Sequence, residues 1–204
     1  FICSPNNPTG NKLKRSDIYT LIESFKSGFI IIDEAYIDFS DEPSFILELV
    51  RFPQVIVMQT LSKAYGLASL RLGMAFAHPT LIGLLNKIKP PYNIGGATQE
   101  IVFKALSNTG FKEESVSLIL TERARLIESL QKISEVIQIY PSDANFILVR
   151  FKRSNELFAY LIQSKLITRN RSSVTLCEDS IRITVGISEE NDKLVELINE
   201  FYSA

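Results

Sequence analysis

A lysine directly behind a serine, with an arginine eight residues further on, stands in the stretch TLSKAYGLASLRLG, Thr60 to Gly73. Ser62, Lys63 and Arg71 bring a hydroxyl, an amine and a guanidinium to one short segment. An amine drawn out of water loses its proton readily and becomes a nucleophile. A guanidinium grips a phosphate through paired hydrogen bonds. Two more stretches carry polar groups at well-defined places. Asp33 ends the run FIIID, where an acid is costly to bury unless it meets a cation, and Tyr36 follows three residues later with a phenol. In SPNNPTG, prolines and asparagines build a rigid turn from which Asn7 projects an amide. Each group also has a plainer explanation. Asp33 could cap a helix or a turn, Arg71 could make a surface ion pair, and SPNNPTG could be a turn and nothing more.

Together the groups compose a site. A carboxylate can keep a pyridinium nitrogen protonated, and an amide and a phenol can bond a ring hydroxyl. A lysine can form an imine while serine and arginine hold a phosphate. Those are the protein contacts that pyridoxal 5′-phosphate requires.

The elements that must position these groups read as strands and helices in alternation. The runs FIIID, VIVM and RLGMAFA are continuously apolar, the pattern of strands buried on both faces. Between and around them, SDIYTLIESFKS places Ile18, Leu21, Ile22 and Phe25 at helical spacing behind Ser16, a capping candidate. PSFILELV reads as a short helix, and PTLIGLLNKI and GATQEIVFKALSN as longer ones. Such alternation implies βαβ units and a mostly parallel sheet, with Asp33 and Asn7 at its carboxyl edge, where open α/β folds bind ligands. A lysine at a strand-to-loop junction is expected to be buried. The character changes near Thr109. Beyond it come a long amphipathic helix, FKEESVSLILTERARLIESLQKI, and the strands VIQIY, ANFILVRF, LITRN and SIRITVG, none with the long buried character of the first set. The helices NELFAYLIQSK and ENDKLVELINEFY complete a smaller α+β domain. The expected division is therefore residues 1–108, part of a cofactor-binding large domain, and residues 109–204, a small C-terminal domain.

Bulk properties narrow the function classes. With 46% hydrophobic and 22% charged residues the chain has the balance of a globular protein. A net charge of −1 offers no basic field for nucleic acid or an anionic membrane. Cys3 and Cys177 make neither a disulfide framework nor a metal spacing, and His78 has no second histidine with which to hold zinc. No run approaches the roughly 20 apolar residues of a membrane span, and no signal peptide is visible, so a cytoplasmic setting is expected. The chain opens on FICSPNNPTG, inside a strand and without an initiator methionine, which reads as a piece of a longer protein. A sheet entered this way is expected to leave a flank open, making the piece alone poorly soluble or weak in binding the cofactor.

The motifs SPNNPTG, DEAY and TLSKAYGLASLRLG, in this order, resemble the fold-type I pyridoxal-phosphate-dependent aminotransferases, and among them the histidinol-phosphate aminotransferase family. SDANFILVRF, LITRN and IRITVG extend the resemblance over essentially the whole chain. It implies that Lys63 is the Schiff-base lysine and that Asn7, Asp33, Tyr36, Ser62 and Arg71 bind the cofactor. Asp33 would face the pyridine nitrogen, Asn7 and Tyr36 the ring oxygen, and Ser62 and Arg71 the phosphate. It further implies that Arg182 grips a substrate carboxylate and Arg169 the substrate's phosphate. The implied reaction interconverts histidinol phosphate and imidazole acetol phosphate with glutamate and 2-oxoglutarate, in histidine biosynthesis, by a homodimer. Two departures stand out. The family's first part, which supplies further phosphate contacts, a ring-stacking aromatic and a tyrosine offered across the dimer, has no counterpart here. Ser69 replaces a more usual glycine. Rival expectations are another enzyme of the same fold, such as an aromatic aminotransferase or a threonine-phosphate decarboxylase, or an inactive module that serves only structure or dimerisation.

Overall fold

Strand β1 (Ile2–Cys3), β2 (Ile30–Asp33) and β3 (Val55–Thr60) run parallel, and β4 (Gly73–Ala77) pairs antiparallel with β3, in the order β1-β2-β3-β4. This is a computed structural model, and it describes residues 1–25 and 27–203; Lys26, at the end of the first expected helix, and Ala204 lie outside the described residues. The chain divides into two compact units. One comprises Phe1–Pro5 with Lys12–Ser115, the other Asn6–Asn11 with Val116–Ala204.

In the first unit, helix α1 (Arg15–Ser24) starts one residue before the expected cap. The carbonyl of Lys14 accepts the amides of Asp17 and Ile18, and no side chain caps the end. Ile18 and Ile22 of α1 pack with Ile30 and Ile32 of β2, Val55 and Val57 of β3, and Phe45 and Phe52. The segment PSFILELV forms a 3-10 turn, Phe45–Glu48, whose Phe45 closes this core. The strands are not buried on both faces as their apolar runs imply. Burial alternates along β2, and on the second face Met58 is 40% exposed. Side chains of a strand alternate between faces, and among the described residues α1 and the 3-10 turn cover only one of them. β4 also departs from the βαβ expectation. Residues 61–72 between β3 and β4 hold only the 3-10 turn Ala68–Leu70, without the helix that usually carries a parallel crossover. Helix α2 (Pro79–Ile88) begins with His78 as its cap, Nδ1 accepting from the Thr80 amide at 3.3 Å, and so gives the lone histidine a local role. Helix α3 (Gly96–Ser107) and the start of α4 (Thr109–Gln131) complete this unit.

The second unit holds an antiparallel sheet in the order β5-β6-β8-β7, from β5 (Val136–Ile139), β6 (Phe146–Phe151), β7 (Arg169–Asn170) and β8 (Ser180–Thr184). Helices α5 (Ser154–Gln163) and α6 (Ser188–Ser203), with the body of α4, pack on one side. The core gathers Leu126 and Leu130, Ile147, Val149 and Phe151, Leu157 and Leu161, and Ile181 and Ile183. Sequence patterning assigned no long buried run to this half, yet β6 is the strand shielded on both faces. Phe146, Ile147, Leu148, Val149 and Phe151 are all 0–1% exposed. Ile147, Val149 and Phe151 face the helix-packed core, and on the other face the Arg182 guanidinium lies 4.9 Å from the Phe146 ring centroid. A buried polar knot ties α4 to the start of α6. Glu122, 6% exposed, accepts hydrogen bonds from Arg125 and from Asn191 Nδ2. Those bonds, Arg125 first and Asn191 second, hold the Glu122 carboxyl below its usual range.

Candidate active site

In the first unit the candidate residues cluster at the carboxyl ends of β2 and β3. Leu61 (0% exposed) and Ala64 (4%) anchor the turn after β3, so the residues between them, Ser62 and Lys63, are left facing outward. The Lys63 carbonyl accepts the Gly66 amide at 3.0 Å, and Gly66 has φ +66. No atom lies within 4 Å of where a Cβ would sit at Gly66, so the demand there is for the left-handed backbone and not for space. Lys63 is partly buried, less than its strand-end position implies. Its Nζ sits 5.3 Å from the ring centroid of Tyr36, itself only 7% exposed. That is a cation–π contact which fixes where the amine points.

Asp33 ends β2 opposite Cys3 on one side and Met58 on the other. One of its oxygens, Oδ1, accepts the Ala35 amide at 3.0 Å. The turn role is therefore real, but it occupies a single oxygen, and Oδ2 has no hydrogen-bond partner among the described residues. The Cys3 thiol is pushed up, by burial first and by the Asp33 charge second. Ser62 is held by Thr60, whose Oγ1 accepts the Ser62 amide at 3.1 Å and lies 2.9 Å from Ser62 Oγ. Arg71 is exposed, takes a left-handed backbone at φ 53, and donates from Nη1 to the Ala68 carbonyl at 3.1 Å. It makes no ion pair among the described residues.

Asn7, Arg169 and Arg182 belong to the second unit. The loop Asn6–Asn11 closes on itself: the Asn6 amide donates to the Asn11 carbonyl at 2.9 Å, and Gly10 N donates to the Asn6 carbonyl at 2.8 Å. It also docks on the chain before β6, where Asp143 N donates to the Gly10 carbonyl at 2.8 Å. Gly10 has φ +86, and a Cβ there would meet Ser142 Oγ at 2.7 Å, so only glycine fits. Asn7 thus groups with the second unit, whereas β1 to β4 belong to the first. Its amide oxygen accepts from Arg182 Nη1 at 2.8 Å, across 175 residues of chain. The Arg182 guanidinium lies 4.9 Å from the Phe146 ring centroid, and Arg169 stands directly opposite Arg182 in the β7–β8 register. Facing positions on neighbouring strands put both arginines on one side of the sheet.

Three contributors escaped the motif reading. Thr60 braces Ser62; its signal is a threonine two residues before a serine at a strand end. Glu34, 2% exposed, accepts from Ser44 Oγ at 2.5 Å, Phe45 N at 2.7 Å and Gln59 Nε2 at 2.9 Å. It thereby locks the DEAY turn to the end of β3. Lys112 donates to Asp38 at 3.1 Å and stands 5.8 Å from the ring centroid of Tyr65, two residues past Lys63. Neither Glu34 nor Lys112 has a local signal, since their partners are distant in sequence.

The family profile described as aminotransferase class I and II matches residues 1–198. The chain belongs to the class I and II aminotransferases. Among curated members of this aminotransferase family, histidinol-phosphate aminotransferase of Cytophaga hutchinsonii is 47% identical over 201 residues, covering 98% of this chain and 58% of that protein. The chain thus spans under two thirds of the length of the relatives it matches. Among solved structures, histidinol-phosphate aminotransferase from Clostridium acetobutylicum superimposes with a TM-score of 0.92 at 24% identity, over 99% of this chain and 63% of that one. The Sinorhizobium meliloti histidinol-phosphate aminotransferase, solved in complex with pyridoxal-5′-phosphate, gives 0.86 at 24% identity over 98% and 56%. These likenesses place the chain in the α/β fold-type I architecture of the aminotransferases.

Proposed function

We propose that this chain carries the lysine-bearing part of an aminotransferase that uses pyridoxal 5′-phosphate and interconverts histidinol phosphate and imidazole acetol phosphate, with glutamate and 2-oxoglutarate as the other pair. The observation that carries the reading is Lys63 itself, an outward-facing amine held 5.3 Å over the Tyr36 ring between two buried anchors. The 47% identity to a histidinol-phosphate aminotransferase supports the choice of substrate. The donor set fits the cofactor: a carboxylate with one oxygen uncommitted, a buried phenol, an amine, a braced hydroxyl and a guanidinium. When bound, pyridoxal phosphate supplies an electron-accepting ring that stabilises negative charge at the substrate α-carbon.

The protein's own groups do the rest. Lys63 would hold the cofactor between turnovers, and its freed amine would take the proton from the substrate Cα as general base and deliver it as general acid to the cofactor's C4′ position. Asp33, through Oδ2, keeps the ring nitrogen protonated, since an adjacent carboxylate favours the charged form. Tyr36 bonds the ring oxygen, while Ser62 and Arg71 bind the cofactor phosphate. Arg182, oriented by Asn7, grips a carboxylate, and Arg169 takes the phosphate of histidinol phosphate. The reading includes small-molecule substrates only, a cytoplasmic enzyme and a homodimer. No helix among the described residues is long and apolar enough to cross a membrane.

The test is a half-reaction screen on the full-length protein loaded with pyridoxal phosphate. Histidinol phosphate and glutamate should each discharge the visible absorbance of the bound cofactor, and 2-oxoglutarate should restore it. Discharge by aromatic amino acids alone, or carbon dioxide release from threonine phosphate, would overturn the substrate assignment.

A further inference from the structure

The sheet of the second unit carries more cationic side chains on its outer face than the proposed reaction uses. Its inner face is the core, with Ile147, Val149 and Phe151 of β6 and Ile181 and Ile183 of β8. Alternation puts the intervening residues on the other side. There, Arg182 stands between Leu148 and Arg169 in the register. One row along, Ser180 stands opposite Arg150. The pairing continues past β7, because the Arg171 amide donates to the Ser180 carbonyl at 2.8 Å. Arg150 and Arg171 therefore flank Ser180 as Leu148 and Arg169 flank Arg182. The two rows are about 7 Å apart, the spacing of every second residue on a strand.

This second row is underpartnered. Arg171 makes no hydrogen bond or ion pair through its side chain among the described residues. Arg150 has one ion pair, to Asp179 at 3.3 Å, with both side chains substantially exposed at 39% and 51%. Such a pair contributes little. The other nearby acid, Glu178, is turned toward the Leu176 amide at 3.2 Å. The Nε atoms of both Arg150 and Arg171 are shielded from solvent without a hydrogen-bond partner. Shielded donors in folded proteins are nearly always paired. Ser180, 0% exposed, donates its hydroxyl to the Glu178 carbonyl at 3.1 Å and places no charge of its own between the two arginine positions. The missing component is an anion, and two forked guanidiniums match the oxygens of a phosphate.

We propose that Arg150 and Arg171, flanking Ser180, form an anion-binding site for a phosphate group, one row away from the Arg169 and Arg182 pair. The site is filled either by inorganic phosphate or by the phosphate of a monoester. It is separate from any contact the reaction needs.

The experiment is calorimetric titration of the full-length protein, loaded with cofactor so that the cofactor's own phosphate position is filled, at constant ionic strength in chloride. An Arg169→Gln background removes one of the two guanidiniums of the neighbouring row and leaves Arg182, which donates to Asn7. Inorganic phosphate and methyl phosphate are titrated separately. Saturable binding of inorganic phosphate identifies the free anion as occupant, and binding of methyl phosphate alone identifies a monoester. In either case Arg171→Gln should weaken binding about tenfold or more, the loss of a charge-assisted contact. Arg171→Lys, which keeps the charge without the fork, should recover only part of it. Arg153→Gln, an exposed arginine paired with Glu156, is the control for general charge. Equal weakening by Arg153→Gln, unchanged binding in Arg171→Gln, or no saturable binding of either anion would overturn the proposal. The measurement needs no turnover, so its outcome is independent of the substrate screen.

Discussion

Lys63 owes its direction to its neighbours. Leu61 and Ala64 are buried, Gly66 turns the chain, and the Tyr36 ring receives the amine. Lys63 follows Ser62, whose hydroxyl Thr60 braces, and its amine lies over the Tyr36 ring. Borohydride reduction of the full-length, cofactor-loaded protein followed by peptide mapping should therefore mark Lys63. A mark on Lys87 or Lys89 would refute the assignment. Lys63→Ala should lower kcat by about 10²- to 10⁴-fold, the usual loss of a positioned acid–base group. The two arginines of β7 and β8 should separate by substrate. Glutamate carries carboxylates and histidinol phosphate carries none. Arg169→Ala should thus raise KM for histidinol phosphate by about 30- to 150-fold, the cost of a lost bidentate contact, and raise that for glutamate much less. Equal effects in steady-state kinetics would remove the basis for a phosphate-specific arginine.

At the scale of elements, the start of α6 depends on a carboxylate carried by α4. Asn191 Nδ2 bonds both Glu122 and the Gly186 carbonyl, and its Oδ1 accepts the Gly186 amide at 3.0 Å. Glutamine at this position keeps one acceptor oxygen but removes the charge and sets an amide NH2 where the second oxygen accepted from Arg125 or Asn191. Glu122→Gln should cost about 1–3 kcal/mol at neutral pH, the penalty for unsatisfied buried groups. The pH dependence has a definite sign. The folded carboxyl lies below the ordinary glutamate value of 4.5, so the folded state binds its proton later than the unfolded chain does. Its stabilisation is complete above the unfolded value and is lost as pH falls through the folded one. Denaturant melts of the wild-type protein should therefore fall more steeply below about pH 5 than those of Glu122→Gln. Parallel curves would show that Glu122 titrates alike in both states.

The whole chain exposes much apolar surface on the first unit. Phe29, Leu84 and Ile88 are 58%, 52% and 78% exposed, and with Ile56, Leu81 and Leu85 they line a 280 Å³ apolar depression. Contiguous apolar patches on isolated chains mark surfaces that associate. These 204 residues produced alone should elute from size-exclusion chromatography as oligomers whose size grows with concentration. The double substitution Phe29→Ser and Ile88→Lys should shift them toward the monomer. A monomeric wild-type chain at every concentration would show that this face does not drive association.

Local physics made several of these features readable before any fold was known. Alternating apolar runs located the strands because burial imposes period on sequence, and the order of SPNNPTG, DEAY and TLSKAYGLASLRLG identified a cofactor chemistry because each motif is contiguous. Asp33, Tyr36, Ser62 and Lys63 fall on strand ends and turns whose shape is set within a few residues. Tertiary structure alone decided the rest. Asn7 is joined to the second unit by Gly10 and Ser142, and its amide meets an arginine 175 residues away. Glu34 finds its partners at Ser44, Phe45 and Gln59, and β6 takes its central place between β5 and β8 by pairing with strands distant in sequence. β4 runs against β3, and the connection between them carries no crossover helix. The arginine rows about Ser180 exist only when β6, β7 and β8 are in register. Sequence patterning reports which residues leave water; which ones meet when they do is set by long-range pairing, to which period and propensity are blind.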